Sequence, residues 1–443
     1  MSSAGLNERL RPSLTSAKVR RRLPGLDLLI VVGAILLGAS PAFAGRAGGV
    51  LAGASEPTPS AAPLSADARG PKATSGAGGS PAQAVSGATQ GPAVVPPLQD
   101  GPTSATKLHL VRSVHGRIAP KSVVASGTGL VIADNMMYRH SVTLYDAKGR
   151  LIRTISDKVT LADLGWPAYP DPVRGAPVEA AFSPDGKTAY VSNYSMYGPG
   201  FLKPGWDLAT PADHIDRSFV YRIDVASGHI TGAAEVGSEP KFLAVSPDGS
   251  TLIVANWASW DLSIVDLSTF REIRRIPVGP EPRGIAFAPD GSAAYVSVQY
   301  RDAPRYPDEL YRLDTTTWKL TALRADLGPF PRHLVIDPSG RYLYASLTGA
   351  GRVIKIEAAT GKTVGTAITG AAPRTIVLSP DGRNLYVVNY DDATLSKVDT
   401  ATMRVVQTLP TGSKPVGVTY EPTTDTVWVA CYSGSLMLFH EGT

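Results

Sequence analysis

Five basic residues stand directly after a proline at corresponding points of a repeated sequence pattern. The full set of corresponding positions is Lys121, Val178, Lys241, Arg283, Arg332, Arg374 and Val416. If the fold gathers these positions, the like charges attract an anion or a carboxylate-bearing ligand. In the competing interpretation, nearby acids neutralise the cations in structural salt bridges, and the candidate acids are Glu179, Glu239 and Glu281.

A second group of candidate ligand contacts combines side-chain amides with aromatic rings. Its members are Asn193, Asn256, Trp257, Tyr300, Asn389, Tyr390 and Trp206. Aromatic rings stack on sugars or peptides, and amides hydrogen-bond to the edges of such ligands. In the alternative interpretation the rings pack between repeats and the asparagines cap turns. Further loop aromatics, among them Trp166, Tyr169 and Phe201, are interpreted as binding residues.

Few residues offer acid–base or metal chemistry. His333 and Glu179 are the candidates for proton transfer in a catalytic reaction. The chain lacks a phosphate-cradling glycine loop, a Gly-x-Ser-x-Gly motif and a His-x-His pair. The segment 213–216 could ligate a metal through two aspartates and a histidine, but a solvated surface loop is the preferred interpretation. We therefore expect no metal site and no cofactor, and we interpret the single cysteine, Cys431, as a small core residue.

These residues are positioned by a repeat that runs from residue 106 onward. Tetrapeptides of the type Ser-Pro-Asp-Gly place prolines 63, 42, 49, 42 and 42 residues apart, at Pro184, Pro247, Pro289, Pro338, Pro380 and Pro422. Proline presets the first turn residue and glycine takes a positive φ, so each tetrapeptide predicts a tight turn. A period near 42 residues with strand-like content is typical of propeller blades.

Each repeat contains four apolar stretches of strand length, here called strands a to d. Seven copies of strand a are present. The last copy, 416–440, lacks strand d, whereas an orphan strand at Lys107–Ser113 precedes the first copy. The sequence therefore predicts an all-β, seven-bladed β-propeller over 106–443. In it the N-terminal strand completes the last blade and removes the exposed sheet edges.

Extra residues concentrate in connections of one kind. The 21-residue excess lies between Asn193 and Phe219 and the 7-residue excess between Gln299 and Leu310, both between strands b and c. A third long connection, 156–176, joins strand d to the next strand a. All three are expected on the face that carries the basic residues. Long loops on one face of a rigid scaffold are a usual place for binding, and neutral length drift is the alternative.

The blades resemble the repeat of the YVTN family of β-propellers, also called YncE-like. The motif reads Ala-Tyr-Val-Ser-Asn-Tyr at 189–194 and Leu-Tyr-Val-Val-Asn-Tyr at 385–390, with looser copies at 252–257 and 294–300. The resemblance covers essentially all of 106–443 and implies the propeller fold. It implies little about function, because similar repeats occur in lactonases, surface-layer proteins, amine-dehydrogenase-like chains and nucleic-acid-binding propellers.

The N-terminus has the pattern of a leader followed by a linker. Three arginines at 20–22 precede an apolar run over 28–39 and an Ala-x-Ala site at 42–44, which predicts a signal peptide over 1–44, cleaved or retained as an anchor. Residues 45–105 are mostly Ala, Gly, Pro, Ser and Thr and predict a disordered tether. Nine basic and five acidic residues fall within 1–105, so only +1 of the chain's +5 belongs to the propeller.

Two functions of different classes fit these features. The first is a monomeric, secreted or cell-surface bacterial propeller whose channel mouth binds an anionic glycan, an envelope component or a protein. The second is a lactonase-like hydrolase whose basic mouth polarises a lactone carbonyl while His333 or Glu179 transfers protons. Nucleic-acid binding ranks third, because phosphate binding depends on a basic excess. Membrane contact is expected only through residues 28–44, if the leader is retained.

Overall fold

A computed structural model describes residues 105–137, 139–299, 309–325 and 327–442. The leader predicted over 1–44 and the tether predicted over 45–105, except its last residue, lie outside these ranges. Tyr300 and most of the shorter insertion between strands b and c also lie outside them.

The described residues form seven four-stranded antiparallel sheets, the blades of a β-propeller, and one two-stranded hairpin. The chain starts with β1 (Lys107–His115) and a first blade of β2 (Ser122–Ala125), β3 (Leu130–Asn135), β4 (Ser141–Asp146) and β5 (Leu151–Ser156). Next come the hairpin strands β6 (Lys158–Thr160) and β7 (Pro172–Arg174), then a second blade of β8 (Pro177–Phe182), β9 (Thr188–Asn193), β10 (Phe219–Asp224) and β11 (His229–Glu235).

The remaining blades follow the same order of strands a to d. The third and fourth blades contain β12 (Pro240–Val245), β13 (Thr251–Asn256), β14 (Asp261–Asp266), β15 (Arg271–Pro277), β16 (Pro282–Phe287), β17 (Ala293–Val298), β18 (Glu309–Asp314) and β19 (Leu320–Ala325). The fifth and sixth contain β20 (Pro331–Ile336), β21 (Tyr342–Leu347), β22 (Arg352–Glu357), β23 (Thr363–Ile368), β24 (Pro373–Leu378), β25 (Asn384–Asn389), β26 (Thr394–Asp399) and β27 (Arg404–Pro410). The seventh contains β28 (Pro415–Glu421), β29 (Thr426–Cys431) and β30 (Ser435–Gly442).

The turns between strands a and b follow from their local sequence. Each glycine of a Pro-Asp-Gly turn has a φ between 70° and 72°, namely Gly186, Gly249, Gly291 and Gly382. The preceding aspartate caps the turn, as when the backbone N–H of Lys187 donates to Asp185 Oδ1 at 3.1 Å. Glycine tolerates this left-handed conformation because it has no Cβ. The predicted turns are thus present, and they give the connections on this face of the propeller a uniform length.

The N-terminal strand closes the ring, as the strand count predicts. The seventh sheet has the order β1-β30-β29-β28, so β1 supplies its outermost strand. Between the sixth blade and this closing sheet, the Nζ of Lys397 lies 2.9 Å from Glu441 Oε2, and both side chains are buried. The hydroxyl of Tyr386 donates to Glu441 Oε1 at 2.6 Å. The Nζ of Lys397 also donates to the carbonyl of Thr106, next to β1, at 2.8 Å. A buried ion pair with further hydrogen bonds is costly to break, so this cluster holds the two chain ends of the propeller together.

The hydrophobic core lies between neighbouring blades. Trp428 of the last blade is fully buried, and its ring centroid lies 6.0 Å from that of Tyr145 in the first blade. Cys431 is fully buried in a separate cluster between the sixth and seventh blades, and burial raises the pKa of its thiol to about 11. A thiol with such a pKa stays protonated at neutral pH, which agrees with a packing role.

Two long connections lie together on the face opposite the Pro-Asp-Gly turns. The d–a connection contains the β6–β7 hairpin and a 3-10 helix at Leu161–Leu164, and the b–c insertion, residues 194–218, contains a 3-10 helix at Pro211–Asp213. The two connections pair through backbone hydrogen bonds between Arg174 and Tyr197. A third 3-10 helix spans Thr348–Ala350. Within the described ranges no helix has the length and apolarity needed to cross a bilayer.

Candidate functional site

A bulge at the start of the inner strand presents the basic residues at the channel mouth. Strand a pairs with strand b through its first proline, as Pro240 does with Asn256, and the ladder then skips at least the next residue. The same shift follows Pro282, Pro331 and Pro373. A bulge removes a residue from the regular ladder and can redirect its side chain. The repeat therefore places Lys241, Arg283, Arg332 and Arg374 at equivalent points of four successive blades.

The basic side chains are close enough to affect one another. Burial lowers the pKa of Arg332, and the charges of Arg283 and Arg374 lower it further. Burial likewise lowers the pKa of Lys121 well below its usual value, with Arg283 and Arg332 adding to the effect. Like charges lower one another's pKa only when they are near in space. Lys121 and the three arginines, which lie far apart in sequence, are thus brought together at the channel mouth.

Lys241 is compensated by acids. Its Nζ lies 2.8 Å from Asp207 Oδ1 and 3.5 Å from Glu239 Oε2. It also lies 3.8 Å from the ring centroid of Trp257, a cation–π contact. Burial lowers the pKa of Lys241 to about 8, and the two carboxylates oppose that shift. Asp207 belongs to the b–c insertion and was not among the candidate acids, because nothing in its neighbourhood in the sequence marks it as a partner of Lys241.

The three arginines have no such partner in the described part of the chain. Arg283 is buried, with 7% of its surface exposed, and its guanidinium carbon lies 5.2 Å from the Trp257 ring centroid. The guanidinium of Arg374 lies over the ring of Tyr390 at 3.5 Å. Its Nε atom is buried without a hydrogen-bond partner among the residues described. No acid of the described residues lies at ion-pairing distance from Arg283, Arg332 or Arg374. We call these three residues the arginine trio.

The three candidate neutralising acids have different surroundings. Glu239 contacts Lys241, whereas Glu281 accepts a hydrogen bond from Gln299 Nε2 at 3.0 Å. Glu179 is half-buried near Lys121 and Arg283, and burial raises its pKa to about 7 while Lys121 opposes the shift. Neutralisation in structural salt bridges thus describes Lys241, but the described contacts give no such partner to the arginine trio.

His333 follows Arg332 on the inner strand β20. Its ring meets that of Phe242 edge to face, with 4.9 Å between centroids, and so joins the inner strands of the third and fifth blades. Burial lowers the pKa of His333 to about 3, and Arg283 and Arg332 add to the shift. The imidazole is therefore neutral at pH 7, and Nδ1 has no hydrogen-bond partner among the described residues. A base this weak takes up protons poorly at neutral pH.

The candidate asparagines lie inside the blades. Asn193, Asn256 and Asn389 are fully buried. Their Nδ2 atoms donate to groups of their own blades: Asn193 to the carbonyl of Phe219 at 3.0 Å, and Asn256 to Ser263 Oγ at 2.8 Å. Asn389 bonds to strand c in the same way. Capping of the blade ends accounts for these bonds, and direct contact of the asparagines with a ligand stays a prediction.

The candidate aromatic residues divide into buried and accessible ones. Trp257 is 2% exposed and serves as a surface for the cations beside it, whereas Tyr390 is half-buried at the mouth. Tyr432 meets Tyr390 edge to face, with 6.0 Å between ring centroids. Trp206 in the b–c insertion is 48% exposed.

Three other loop aromatics pack together. Tyr169 stacks on Phe201 with ring centroids 4.9 Å apart, and Trp166 packs edge to face on Phe219 at 5.2 Å. The indole N–H of Trp166 donates to the carbonyl of Ala233 at 2.8 Å. These rings attach the two long connections to the second blade.

The possible metal ligands of the insertion stabilise the loop itself. Asp213 Oδ2 accepts hydrogen bonds from the backbone and hydroxyl of Thr210, and Asp216 Oδ2 accepts from the backbone of Leu202 and Lys203. His214 is exposed. Across the described ranges no three His, Cys, Asp or Glu side chains are grouped as metal ligands would be. The contacts agree with the surface-loop interpretation.

Comparison with known proteins supports the fold and identifies no family. No protein-family profile matches the chain, and no curated protein is similar to it. Among solved structures, the chain is similar to hydrazine synthase of Kuenenia stuttgartiensis, with a TM-score of 0.57 and 18% sequence identity. The match covers 73% of this chain and 96% of that one. At this identity the likeness shows the seven-bladed β-propeller fold alone, so membership of the YVTN or YncE-like family stays a prediction.

Proposed function

We propose that this protein is an exported binding module that holds an anionic ligand at the channel mouth with Arg283, Arg332 and Arg374. One observation carries the proposal. Three guanidinium groups on successive blades lie buried or half-buried, and the described residues offer them no acid at ion-pairing distance. A buried charge without a partner is unfavourable, and an anionic ligand would offset that cost.

The chemistry of the arginine trio suits an oxyanion. A guanidinium is planar and presents its N–H groups as a fork that matches a carboxylate, phosphate or sulfate. Tyr390 and Tyr432, half-buried beside the trio, offer ring faces and hydroxyls to the rest of the ligand. Anionic glycans, other envelope components and acidic segments of proteins all carry such groups and are the ligand classes that we propose.

The proposed location outside the cytoplasm rests on the N-terminal sequence. The basic residues, apolar run and Ala-x-Ala site of 1–44 have the pattern of an export signal. A flexible tether of 45–105 would have a root-mean-square reach of about 40 Å. A near-neutral propeller on such a tether suits a ligand of the cell surface more than a nucleic acid.

A hydrolase of the lactonase-like class is the second candidate. It is favoured by Glu179, whose pKa of about 7 suits a group that exchanges protons near neutral pH. The reaction would add water to a cyclic ester and release a hydroxy acid. His333 suits this role less, because its imidazole is so weakly basic.

A binding panel tests the proposal. Isothermal titration of the full chain would compare uronic-acid oligosaccharides, short carboxylates and a γ-lactone with neutral sugars. We expect charged members to bind and their neutral counterparts not to bind. Arg332→Met should lower affinity for the charged members about 10-fold or more, because charge-assisted hydrogen bonds are among the stronger polar contacts.

The matched control is Arg404→Met, an exposed arginine on the outer strand β27. It should bind as the wild type does. Equal binding of charged and neutral members, or equal affinity in Arg332→Met, would contradict the proposal. Release of a hydroxy acid from the lactone, lost in Glu179→Gln, would favour the hydrolase instead.

A further inference from the structure

The b–c insertion exposes an unusual number of apolar side chains. Four large apolar residues within twelve positions are exposed: Tyr197 by 38%, Leu202 by 87%, Trp206 by 48% and Leu208 by 58%. Most other exposed large apolar residues among those described lie on outer strands, such as Ile273 on β15. Exposed apolar groups concentrated in one place are typical of binding surfaces.

The insertion holds these residues in a defined position. Asp216 Oδ2 accepts hydrogen bonds of 2.6 Å from the backbone N–H groups of both Leu202 and Lys203. The backbone N–H of Gly205 donates to Ser195 Oγ at 2.9 Å. Ala209 and Ile215 are buried against Trp257. The exposed side chains therefore project from an anchored loop, and an anchored loop loses little entropy when a ligand binds.

Asp207 links this apolar segment to the channel mouth. It stands between Trp206 and Leu208, and its carbonyl accepts a hydrogen bond of 3.2 Å from the indole of Trp257. Its carboxylate binds Lys241. Burial lowers the pKa of Arg283, Arg332 and Arg374, and the charge of Asp207 partly opposes that lowering in each case. Trp206 and Leu208 thus border the mouth that holds the arginine trio.

We propose that the ligand of this mouth is an anionic amphiphile, a molecule with one acidic head group and an apolar chain. The arginine trio holds the head group, and Trp206 and Leu208 cover the chain. This inference rests on the proposed anion site and specifies its ligand. The amphiphile enters as a single molecule and not as part of a bilayer surface, because Arg283 is buried, with 7% of its surface exposed.

The two parts of the site require one ligand with two properties. A small anion would satisfy the arginines and leave Trp206 and Leu208 in water. A neutral apolar molecule would cover Trp206 and leave the guanidinium groups without an anion. A ligand that joins an acid to an apolar chain contacts both parts at once, since charge and apolar area contribute separately to binding.

A chain-length series tests the inference. Acetate, hexanoate and decanoate, with octan-1-ol as a neutral probe, would be titrated into the full chain below micelle concentrations. We expect the affinity of the wild type to rise by about two- to fourfold for each added methylene group that becomes buried. In the double variant Trp206→Ala/Leu208→Ala the affinity should rise much less with chain length. Its affinity for decanoate should be at least tenfold lower than that of the wild type, whereas its affinity for acetate should be unchanged.

Two controls separate the possible outcomes. Ile273→Ala removes an equally exposed apolar side chain on an outer strand and should leave the series unchanged. Arg332→Met should weaken the binding of all three acids and leave the binding of octan-1-ol unchanged. If all three acids bind equally, the inference is wrong and the anion site stands. If Arg332→Met changes no acid's affinity, the anion site itself is wrong. Binding to phosphatidylglycerol vesicles without binding of free decanoate would replace the inference with a membrane surface.

Discussion

Lys241 and Arg283 occupy equivalent positions on neighbouring blades and have opposite electrostatic surroundings. Each follows the first proline of an inner strand, each is more than nine-tenths buried, and both approach the ring of Trp257. Lys241 contacts two carboxylates, those of Asp207 and Glu239. Within the described residues, Arg283 contacts none.

The difference shows how equivalent positions of a repeated fold acquire individual surroundings. The repeat supplies cations at fixed points, because the same proline and the same bulge recur in each blade. The counter-charge of Lys241 comes partly from Asp207, which belongs to the long b–c insertion of the second blade and not to the repeat. A cation with local partners stabilises the fold, whereas a cation without them is available to a ligand.

Loss of the compensated cation should have the largest effect on stability. In Lys241→Met the buried carboxylate of Glu239 loses its partner, and breaking a buried pair costs roughly 3 kcal/mol. We expect the free energy of unfolding in urea at pH 8 to fall by about this amount. Lys414→Met is the control, because the pair between Lys414 and Asp391 is exposed and should contribute little. Equal free energies of unfolding for the wild type and Lys241→Met would contradict a structural role of Lys241.

The pH dependence of stability tests the acidic partner that distinguishes Lys241 from Arg283. Burial raises the pKa of Glu239 from 4.5 to about 7, and Lys241 opposes the shift. The folded state therefore holds this proton more tightly than the unfolded chain does. The resulting stability is fully present below pH 4.5 and is lost as the pH rises through 7.

Glu239→Gln keeps the shape of the side chain and removes its titration. Between pH 5 and pH 8 the variant should lose less stability than the wild type, by a difference on the order of 2 kcal/mol. Urea unfolding at pH 5, 6, 7 and 8 measures this difference. Parallel pH curves for the two proteins would show that Glu239 does not titrate in this range.

The blades and their closure are predictable from the sequence, because their signals are local. A Pro-Asp-Gly turn adopts its conformation from its own residues, and strand lengths follow from apolar runs between turns. The closing strand follows from counting, since seven inner strands and one incomplete last copy leave a single solution. Gathering of the basic residues follows from the register of these strands and needs no knowledge of side-chain contacts.

The pairing of the cations is not predictable in this way. Asp207 stands 34 residues before Lys241 in an insertion without a repeat, so no period relates the two. The packing of Tyr169 on Phe201 joins two different connections, and sequence spacing alone treats both rings as free to bind. Tertiary contacts between unrepeated loops decide both cases, and only the fold brings those loops together.

Loss of a cation without an acidic partner should change stability least. The change should be a gain, opposite in sign to the loss expected for Lys241→Met. Arg283→Met keeps most of the side-chain volume beside Trp257 and removes a buried charge that lowers the pKa of Arg332 and Lys121. We expect the free energy of unfolding in urea to rise by roughly 1 kcal/mol, a size common for substitutions that relieve a functional site. Anion affinity should fall in the same variant, whereas Arg404→Met should change neither quantity. A loss of stability in Arg283→Met would mean that its guanidinium has a structural partner after all, and the contrast with Lys241 would no longer distinguish a fold residue from a binding residue.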